Sequence, residues 1–312
     1  MVARVKRLAA VDIGTNSVLL LVAEQGTDGK LRAVADEAEI TRLGRGVDRT
    51  GLLSAEGMSA TLGVLERYVR QARGAGAEDI VVTATSAARD ARNGEDFLRA
   101  ARAGAGVEVR VISGEEEAGL SYRAAVEDFA SEAEGGPLLV IDVGGGSTEF
   151  VLGKGRTVSF ARSLDIGSVR LTERCIDSDP PVPVEQAGVR RAVEEALHTL
   201  PPFPSGSLVV GVAGTVTNLF AVARGIEPYD PARVHGGWLS VEEVAAVRAR
   251  LCALTLEERR RLPGIQPKRA DVLPAGALIF EAALVHLGAA GARVSDRGIR
   301  WGVLLERLGG ER

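Results

Sequence analysis

The sequence predicts an α/β protein made of two related halves. Three observations carry this. Strand-like and helix-like stretches alternate through the first half, a loop signature met at Asp12 returns at Asp142, and 312 residues suit two domains of ordinary size.

Each element follows from a local pattern. "LAAVDI" and "SVLLLVAEQ" are apolar strand runs flanking a short polar turn, and "LRAVADEAEITRL" continues the sheet. From Ser54, "SAEGMSATLGVLERYVRQAR" places apolar residues at helical spacing, and "DIVVTAT" from Asp79 is a short buried strand. "VEVRVIS" from Val107 is a strand that runs directly into the helix "GEEEAGLSYRAAVEDF". The polar segment "ASEAEGG", Ala130 to Gly136, is the first boundary. Beyond it, "VIDVGGGSTEF" is again strand, turn and strand. Two Pro-rich loops, "DSDPPVP" and "LPPFPSG", bracket a helix around "VEQAGVRRAVEEAL". "SLVVGVAG" is a strand ending in glycine and "TVTNLFAVA" starts a helix. The remainder is expected to be mainly helical, with capping boxes at Ser240–Glu243 and Thr255–Glu258. The most apolar long segment, Ala275 to Ala292, carries Glu281 and His286 and is expected as a buried helix, not a membrane span.

Composition narrows the function classes. A net charge of −4 provides no global basic field, so nucleic acid is not an expected partner. Four of the 38 basic residues are lysines (Lys6, Lys30, Lys154, Lys268), an arginine preference that reads as compositional habit. A positive site for an anionic ligand must therefore be local. Two cysteines and three histidines make no disulfide framework and no zinc cluster, and a reducing cytoplasm is the expected compartment. The N-terminus is basic but runs straight into patterned sequence, without the apolar core of a secretion signal.

The recurring loop is the most informative feature. "DIGTNSVLLLV" and "DVGGGSTEFVL" align Asp12 on Asp142, Gly14 on Gly144 and Ser17 on Ser147, each pair with apolar strand following. This favours two lobes facing one another across a cleft. Glycines in such a turn let backbone N–H groups approach a ligand without an intervening Cβ. An aspartate at the strand end suits a hydrated Mg²⁺. Either loop alone is equally consistent with a tight hairpin carrying an Asp turn residue. The two together, with Glu149, favour a grip on a polyanion. A P-loop is excluded because no lysine follows the glycines, and a dinucleotide fingerprint because strand follows where a helix is needed.

The segments "AVDIGTNSV", "TATSAARDARN", "VISGEEEAGLSY", "VIDVGGGSTEFVLG", "GVAGTVTNL", "RVHGGWLS", "KRADVLPAGALI" and "VSDRGIRWGVL" run from one end of the chain to the other. In this order they closely resemble the exopolyphosphatase / guanosine pentaphosphate phosphohydrolase family (Ppx/GppA), within the actin, sugar-kinase and heat-shock ATPase superfamily. The resemblance implies two ribonuclease-H-like lobes around a central cleft. The first is residues 1–129, with a C-terminal helix at 298–312 packing back on it, and the second is residues 130–297. It also implies the short form of the family, without a helical C-terminal extension. Arg297 and Trp301 depart from the smaller or acidic residues expected in the last motif.

The implied reaction is attack of water on the terminal phosphate of a phosphoanhydride chain, which depends on positioning and charge stabilisation. Backbone amides around Thr15, Asn16 and Ser17, and around Gly144, Gly145, Gly146 and Ser147, would hold the terminal phosphoryl oxygens. By resemblance, Asp142 and Glu149 hold Mg²⁺ and Asp12 reaches it through water; without the repeat, Glu149 would read as a solvated strand residue. For the base, "SGEEEAGL" offers Glu115, Glu116 and Glu117. Ser113 as N-cap puts Glu116 at N3 in a capping box. All three acids complement the helix dipole, and without the resemblance they would simply decorate a helix start. The family pattern places its catalytic glutamate just before the small residue, here Ala118, and so selects Glu117. Arg89 can offer a bidentate fork to phosphate, although composition alone makes it an ordinary surface arginine. Lys268 and Arg269 form a second basic point for phosphates further along a chain. Gly211–Thr215 lies where related ATPases hold adenosine, or it only shapes the cleft. His235 is expected to be structural. The implied substrates are inorganic polyphosphate or guanosine pentaphosphate, and the family's members often form homodimers. A nucleotide-binding regulator without turnover and a sugar or acetate kinase are the other readings.

Overall fold

The computed structural model describes residues 6–309 and divides the chain into two compact units. Unit 1 runs to Leu120 and takes back the chain from Ile299, and unit 2 is Ser121–Gly298.

Unit 1 begins with β1 (Arg7–Ile13), β2 (Ser17–Gln25) and β3 (Leu31–Ile40), followed by α1 (Val47–Thr50) and α2 (Ala55–Gly74). β4 (Asp79–Ala84), α3 (Ser86–Asp90), α4 (Gly94–Ala105), β5 (Val109–Val111) and α5 (Gly114–Phe129) complete the order. The sheet order is β3-β2-β1-β4-β5, antiparallel across the first three strands and parallel from β1 to β5. Strand alternation puts Ala9, Val11, Ile13, Val18, Leu20, Val22 and Val82 in one core with Leu65, Val69, Phe97 and Ala101 of α2 and α4. Each fully buried Leu, Val or Phe there contributes about 1.5–3 kcal/mol. Asp12 belongs to the alternate set, at the penultimate position of β1.

Unit 2 repeats the plan. β6 (Leu138–Val143), β7 (Thr148–Lys154) and β8 (Thr157–Leu164) lead to α6 (Ser168–Cys175), α7 (Pro183–Leu197), β9 (Leu208–Val212) and α8 (Ala213–Arg224). Then come α9 (Pro231–Val234), β10 (Trp238–Ser240), α10 (Val241–Ala253), α11 (Leu256–Arg259), a 3₁₀ turn Pro267–Arg269, α12 (Leu273–His286) and β11 (Gly291–Val294). Followed from β8, the sheet order is β8-β7-β6-β9-β11, matching unit 1, with β10 added antiparallel at the edge. Both units therefore have the ribonuclease-H-like topology. The hairpin turns match as well: Gly14 N–H donates to Ser17 O at 2.9 Å, and Gly144 N–H donates to Ser147 O at 3.0 Å.

The last helix, α13 (Ile299–Gly309), packs on β1 and β2 in unit 1. Gly302 allows close approach, since a Cβ there would lie 2.1 Å from the Leu120 carbonyl oxygen. Arg300 is buried and donates to Leu20 O at 2.7 Å and to the Asp36 carboxylate. Trp301 is buried in the same unit, so its bulk fills a helix-packing position.

Three sequence expectations need revision. The apolar stretch 275–292 is not one helix, because α12 ends at His286, Gly288 turns to a φ of 61°, and β11 follows. The C-terminal part also contains strands of three and four residues, too short to show a period. The polar segment 130–136 ends a helix, whereas the units divide between Leu120 and Ser121 inside α5. From Ser121 onward α5 belongs with the second sheet: Tyr122 Oη, for example, donates to Gly155 O at 3.0 Å. No helix among the described residues is long and apolar enough to cross a membrane.

Candidate active site

In each unit the chemistry-bearing residues gather where parallel strands end, the edge at which open α/β sheets bind ligands. In unit 1, β1 and β4 run parallel and finish at Ile13 and Ala84. The loop after β1 is held from behind. Thr41 and Arg42 donate their backbone N–H groups to Asn16 O, and Gly44 donates to Thr15 O. Thr15 Oγ1 and Ser86 Oγ share a buried hydrogen bond of 2.7 Å, joining that loop to the start of α3. Asn16 is buried, and its Nδ2 has no hydrogen-bond partner among the described residues. A buried amide donor without a partner is costly, and an anion oxygen would satisfy it. Asp12 is buried and accepts from Thr83 Oγ1 at 3.3 Å.

One turn along α3, Arg89 is half-buried and donates to Ile112 O at 3.0 Å. The same nitrogen lies 3.8 Å from Glu117 Oε2. Arg89 is thus engaged at its inner edge rather than presenting its whole fork outward. The first turn of α5 separates the three glutamates. Ser113 N–H donates to Glu116 Oε2 at 2.9 Å and Glu116 N–H to Ser113 Oγ at 3.1 Å, completing the capping box. Glu115 and Glu116 are exposed, whereas Glu117 is only 7% exposed. α3 thus carries one member of each of two pairs in unit 1, Thr15–Ser86 and Arg89–Glu117.

In unit 2, β6 and β9 run parallel to Val143 and Val212. The Gly144–Ser147 loop is clamped by its carbonyls. Ser168 donates to Gly144 O at 2.9 Å and Val169 to Gly145 O at 2.9 Å, while Arg170 Nε donates to Gly146 O at 2.7 Å. Gly167 must lack a side chain, because a Cβ there would sit 2.3 Å from Gly145 O. With its carbonyls turned toward α6 and Gly144 N–H closing the turn onto Ser147 O, the loop leaves the amides after Gly144 for a ligand.

Asp142 and Glu149 lie directly opposite on β6 and β7, so their side chains share one face of the sheet. Asp142 is 5% exposed and accepts from Ser121 Oγ at 2.6 Å; Glu149 is fully buried and accepts from Ser163 Oγ at 2.7 Å. Burial pushes the Asp142 carboxyl above its usual range, and the Ser121 hydrogen bond pulls it part of the way back. Two adjacent buried carboxylates are costly unless a cation compensates them. Hard oxygen donors of this number suit Mg²⁺, which takes one or two carboxylates and fills its shell with water and phosphate. Among the described residues no group of three acidic, histidine or cysteine side chains gathers as a metal site. Asp12 lies in unit 1, and Asp142 and Glu149 lie in unit 2.

The remaining candidates are sorted by their contacts. Arg269 is half-buried, its Nε donating to Gln266 Oε1 at 2.7 Å and its guanidinium lying over Gly214. Burial pulls its pKa down to about 10. Gly214 thus packs beneath an arginine at the start of α8, and Ala213 before it takes the left-handed conformation with φ 71°. Lys268 is exposed. His235 accepts from Asp296 N–H at 3.4 Å, lies 3.6 Å from Asp128, and stacks obliquely on Phe129. Burial holds it below its usual pKa, so it is a neutral packing residue near pH 7. Arg297 donates to Asp128 at 2.5 Å, which gives it a structural role within unit 2.

Sequence reasoning missed the hydroxyls and the loop clamp: Thr83, Ser86, Ser121, Ser163, Gly167, Ser168 and Arg170. Ser86 stood inside a quoted motif, and Ser121 sits four residues after Glu117 in another. Ser163 was harder to find. A bulge at Leu152/Gly153 shifts the β7–β8 register, so that Glu149 faces Ser163 and not the residue a regular hairpin would bring.

Two ribonuclease-H-like units, each with an Asp-x-Gly hairpin, give the chain the fold of the actin, sugar-kinase and heat-shock ATPase class. The chain belongs to the Ppx/GppA phosphatase family, whose family model matches residues 21–311. It is 42% identical to exopolyphosphatase 2 of Mycobacterium tuberculosis over 289 residues, 88% of this chain and 89% of that one. A guanosine-5'-triphosphate,3'-diphosphate pyrophosphatase of Vibrio atlanticus is 29% identical over 96% of this chain and 59% of its own length. Among solved structures, the Ppx/GppA family member of Aquifex aeolicus superposes with a TM-score of 0.83 at 35% identity, covering 99% of both chains.

Proposed function

We propose that this chain is an exopolyphosphatase that removes orthophosphate from the end of inorganic polyphosphate. One observation carries the reading: of three consecutive glutamates, only Glu117 is buried, and it faces Arg89 at 3.8 Å. A buried carboxylate beside an arginine of α3, the helix whose Ser86 bonds a hairpin loop with an unsatisfied amide donor, suits the orientation of water next to a bound phosphoryl group. The similarity to an exopolyphosphatase along most of the chain supports the substrate class.

In this reading Glu117 accepts a proton from the attacking water as its oxygen bonds to the terminal phosphorus. The bridging P–O bond breaks, giving orthophosphate and a chain one phosphate shorter. Arg89 and the amides near Thr15, Asn16 and Ser17 stabilise charge on the phosphoryl oxygens, as do those near Gly144–Ser147. Asp142 and Glu149 are the residues that would hold Mg²⁺, which supplies charge neutralisation at phosphoryl oxygens when bound. Asp12 is assigned an indirect role through water. Guanosine pentaphosphate is the second substrate reading, favoured by the similarity to the Vibrio enzyme. Phosphate release from polyphosphate and from guanosine pentaphosphate, measured side by side with Mg²⁺, tests the choice. Faster turnover of polyphosphate is expected, and release from guanosine pentaphosphate alone would overturn it.

Lys268 and Arg269 are assigned to phosphates behind the terminal one. Because Arg269 also packs on Gly214, Lys268→Ala is the cleaner probe. It should raise KM for long chains before short ones and weaken the salt dependence of binding, with kcat unchanged. An equal effect on short and long substrates would remove Lys268 from the chain path.

A further inference from the structure

Each carboxylate assigned above to the cation is held by a neighbouring hydroxyl. In unit 2 the two pairs are short: Ser121 Oγ to Asp142 Oδ2 at 2.6 Å, and Ser163 Oγ to Glu149 Oε1 at 2.7 Å. The donors come from different elements, Ser121 from α5 and Ser163 from β8. Asp142, Glu149 and Ser163 form a row across three adjacent strands, set by the register on both sides of β7.

We propose that Ser121 and Ser163 are positioning residues, which fix the rotation of the two carboxylates for a divalent cation. This deepens the proposed function and rests on its assignment of Asp142 and Glu149 as cation ligands. The terminal torsion of a carboxylate is broad and roughly two-fold, so an unanchored pair would rotate cheaply. Two carboxylates facing each other across neighbouring strands also repel, and repulsion favours swinging apart. A hydroxyl bonded to one oxygen of each opposes both motions. Ser121 carries the stronger geometric argument. A buried helical serine ordinarily bonds the carbonyl one turn back on its own helix. Ser121 is fully buried yet directs its proton to Asp142 on the sheet. Ser163 occupies its place only because the bulge at Leu152/Gly153 resets the register. A Cβ at Gly153 would meet Tyr122 Oη at 2.4 Å, so the glycine beside the bulge also makes room for the α5 side chain after Ser121.

The test is a titration of the metal-free protein with Mn²⁺ alone, followed by electron paramagnetic resonance of free ion, without substrate. Ser121→Ala and Ser163→Ala should each weaken Mn²⁺ binding about 10–100-fold, the usual loss when a hydrogen bond to a ligand is removed. Ser163→Thr keeps a hydroxyl at a strand position that tolerates β-branching and should bind within a few-fold of the parent. In assays the alanine variants should need more Mg²⁺ for half-maximal rate and recover most of kcat when it is saturating. Alanine variants that bind Mn²⁺ like the parent, while Asp142→Asn does not, overturn the positioning role and leave the metal assignment standing. Unchanged binding by Asp142→Asn overturns the metal assignment and the inference with it. Should Ser121→Ala fail to fold by thermal melting, Ser121→Cys, close in volume but a weak donor, replaces it with the same expected loss.

Discussion

Glu117→Gln should lower kcat by about 10²–10⁴, the usual contribution of a general base, with KM changed far less. Glu116→Gln should leave the rate within a few-fold. The difference follows from where the first turn of α5 directs its side chains. Glu116 is exposed and already engaged in the capping box with Ser113. Glutamine there still accepts from the Ser113 N–H, so the helix start should lose at most a few tenths of a kcal/mol. Its other contact, Arg110 at 3.6 Å, is a half-exposed ion pair worth little. Glu117 is buried with its carboxylate toward Arg89, and glutamine would keep the volume while losing the basic oxygen. Steady-state phosphate release for both variants decides the matter, with thermal melts to show that neither is unfolded. If Glu116→Gln is inactive and Glu117→Gln turns over normally, the catalytic register along this turn is displaced by one residue.

Most of the architecture was legible because its signals are local. The central strands of both sheets are nearly unbroken apolar runs, and the Asp-x-Gly turns repeat at a constant spacing that survives as matching hairpins. The capping role of Glu116 was legible for the same reason, since a capping box is a four-residue pattern, whereas the choice of Glu117 came from the family resemblance. What escaped depends on pairing between distant segments. β10 and β11 are three and four residues long and become strands through the sheet they join. Ser163 meets Glu149 through a bulge, and the Gly144–Gly146 clamp comes from Gly167–Arg170, more than twenty residues on. The divide inside α5 left no compositional mark, because a continuous amphipathic helix serves both units without a break in sequence. Arg297 was read as a departure within a functional motif; its bond to Asp128 accounts for it as packing chemistry.

Asp142→Asn should abolish turnover and at the same time make the metal-free protein more stable at neutral pH. The two effects have one cause. Asp142 is buried, and burial raises its carboxyl pKa above the unfolded value despite the Ser121 hydrogen bond. A group whose folded pKa is raised favours the fold in its protonated form. Its contribution is fully present below the unfolded value, about 3.9, and is lost as pH rises through the folded one. Above the unfolded value the folded parent therefore carries a desolvated carboxyl next to Glu149 that disfavours the fold. Asparagine keeps the shape and can still accept from Ser121 while removing the charge. For domains of this size each kcal/mol recovered raises Tm by about 2–4 °C. The advantage of the variant should grow from about pH 4 upward and level off above the folded pKa, as thermal melts in chelator would show. Mg²⁺ should reverse the ranking, stabilising the parent through binding to the folded state and leaving the variant unmoved. Turnover by Asp142→Asn with Mg²⁺, or a parent whose Tm ignores the ion, would show that this carboxylate does not hold the cation. A variant less stable than the parent in chelator would show that the charge is compensated within the protein. The pairing expected here, loss of activity with gain of stability, is the mark of a residue kept for chemistry at a cost to the fold.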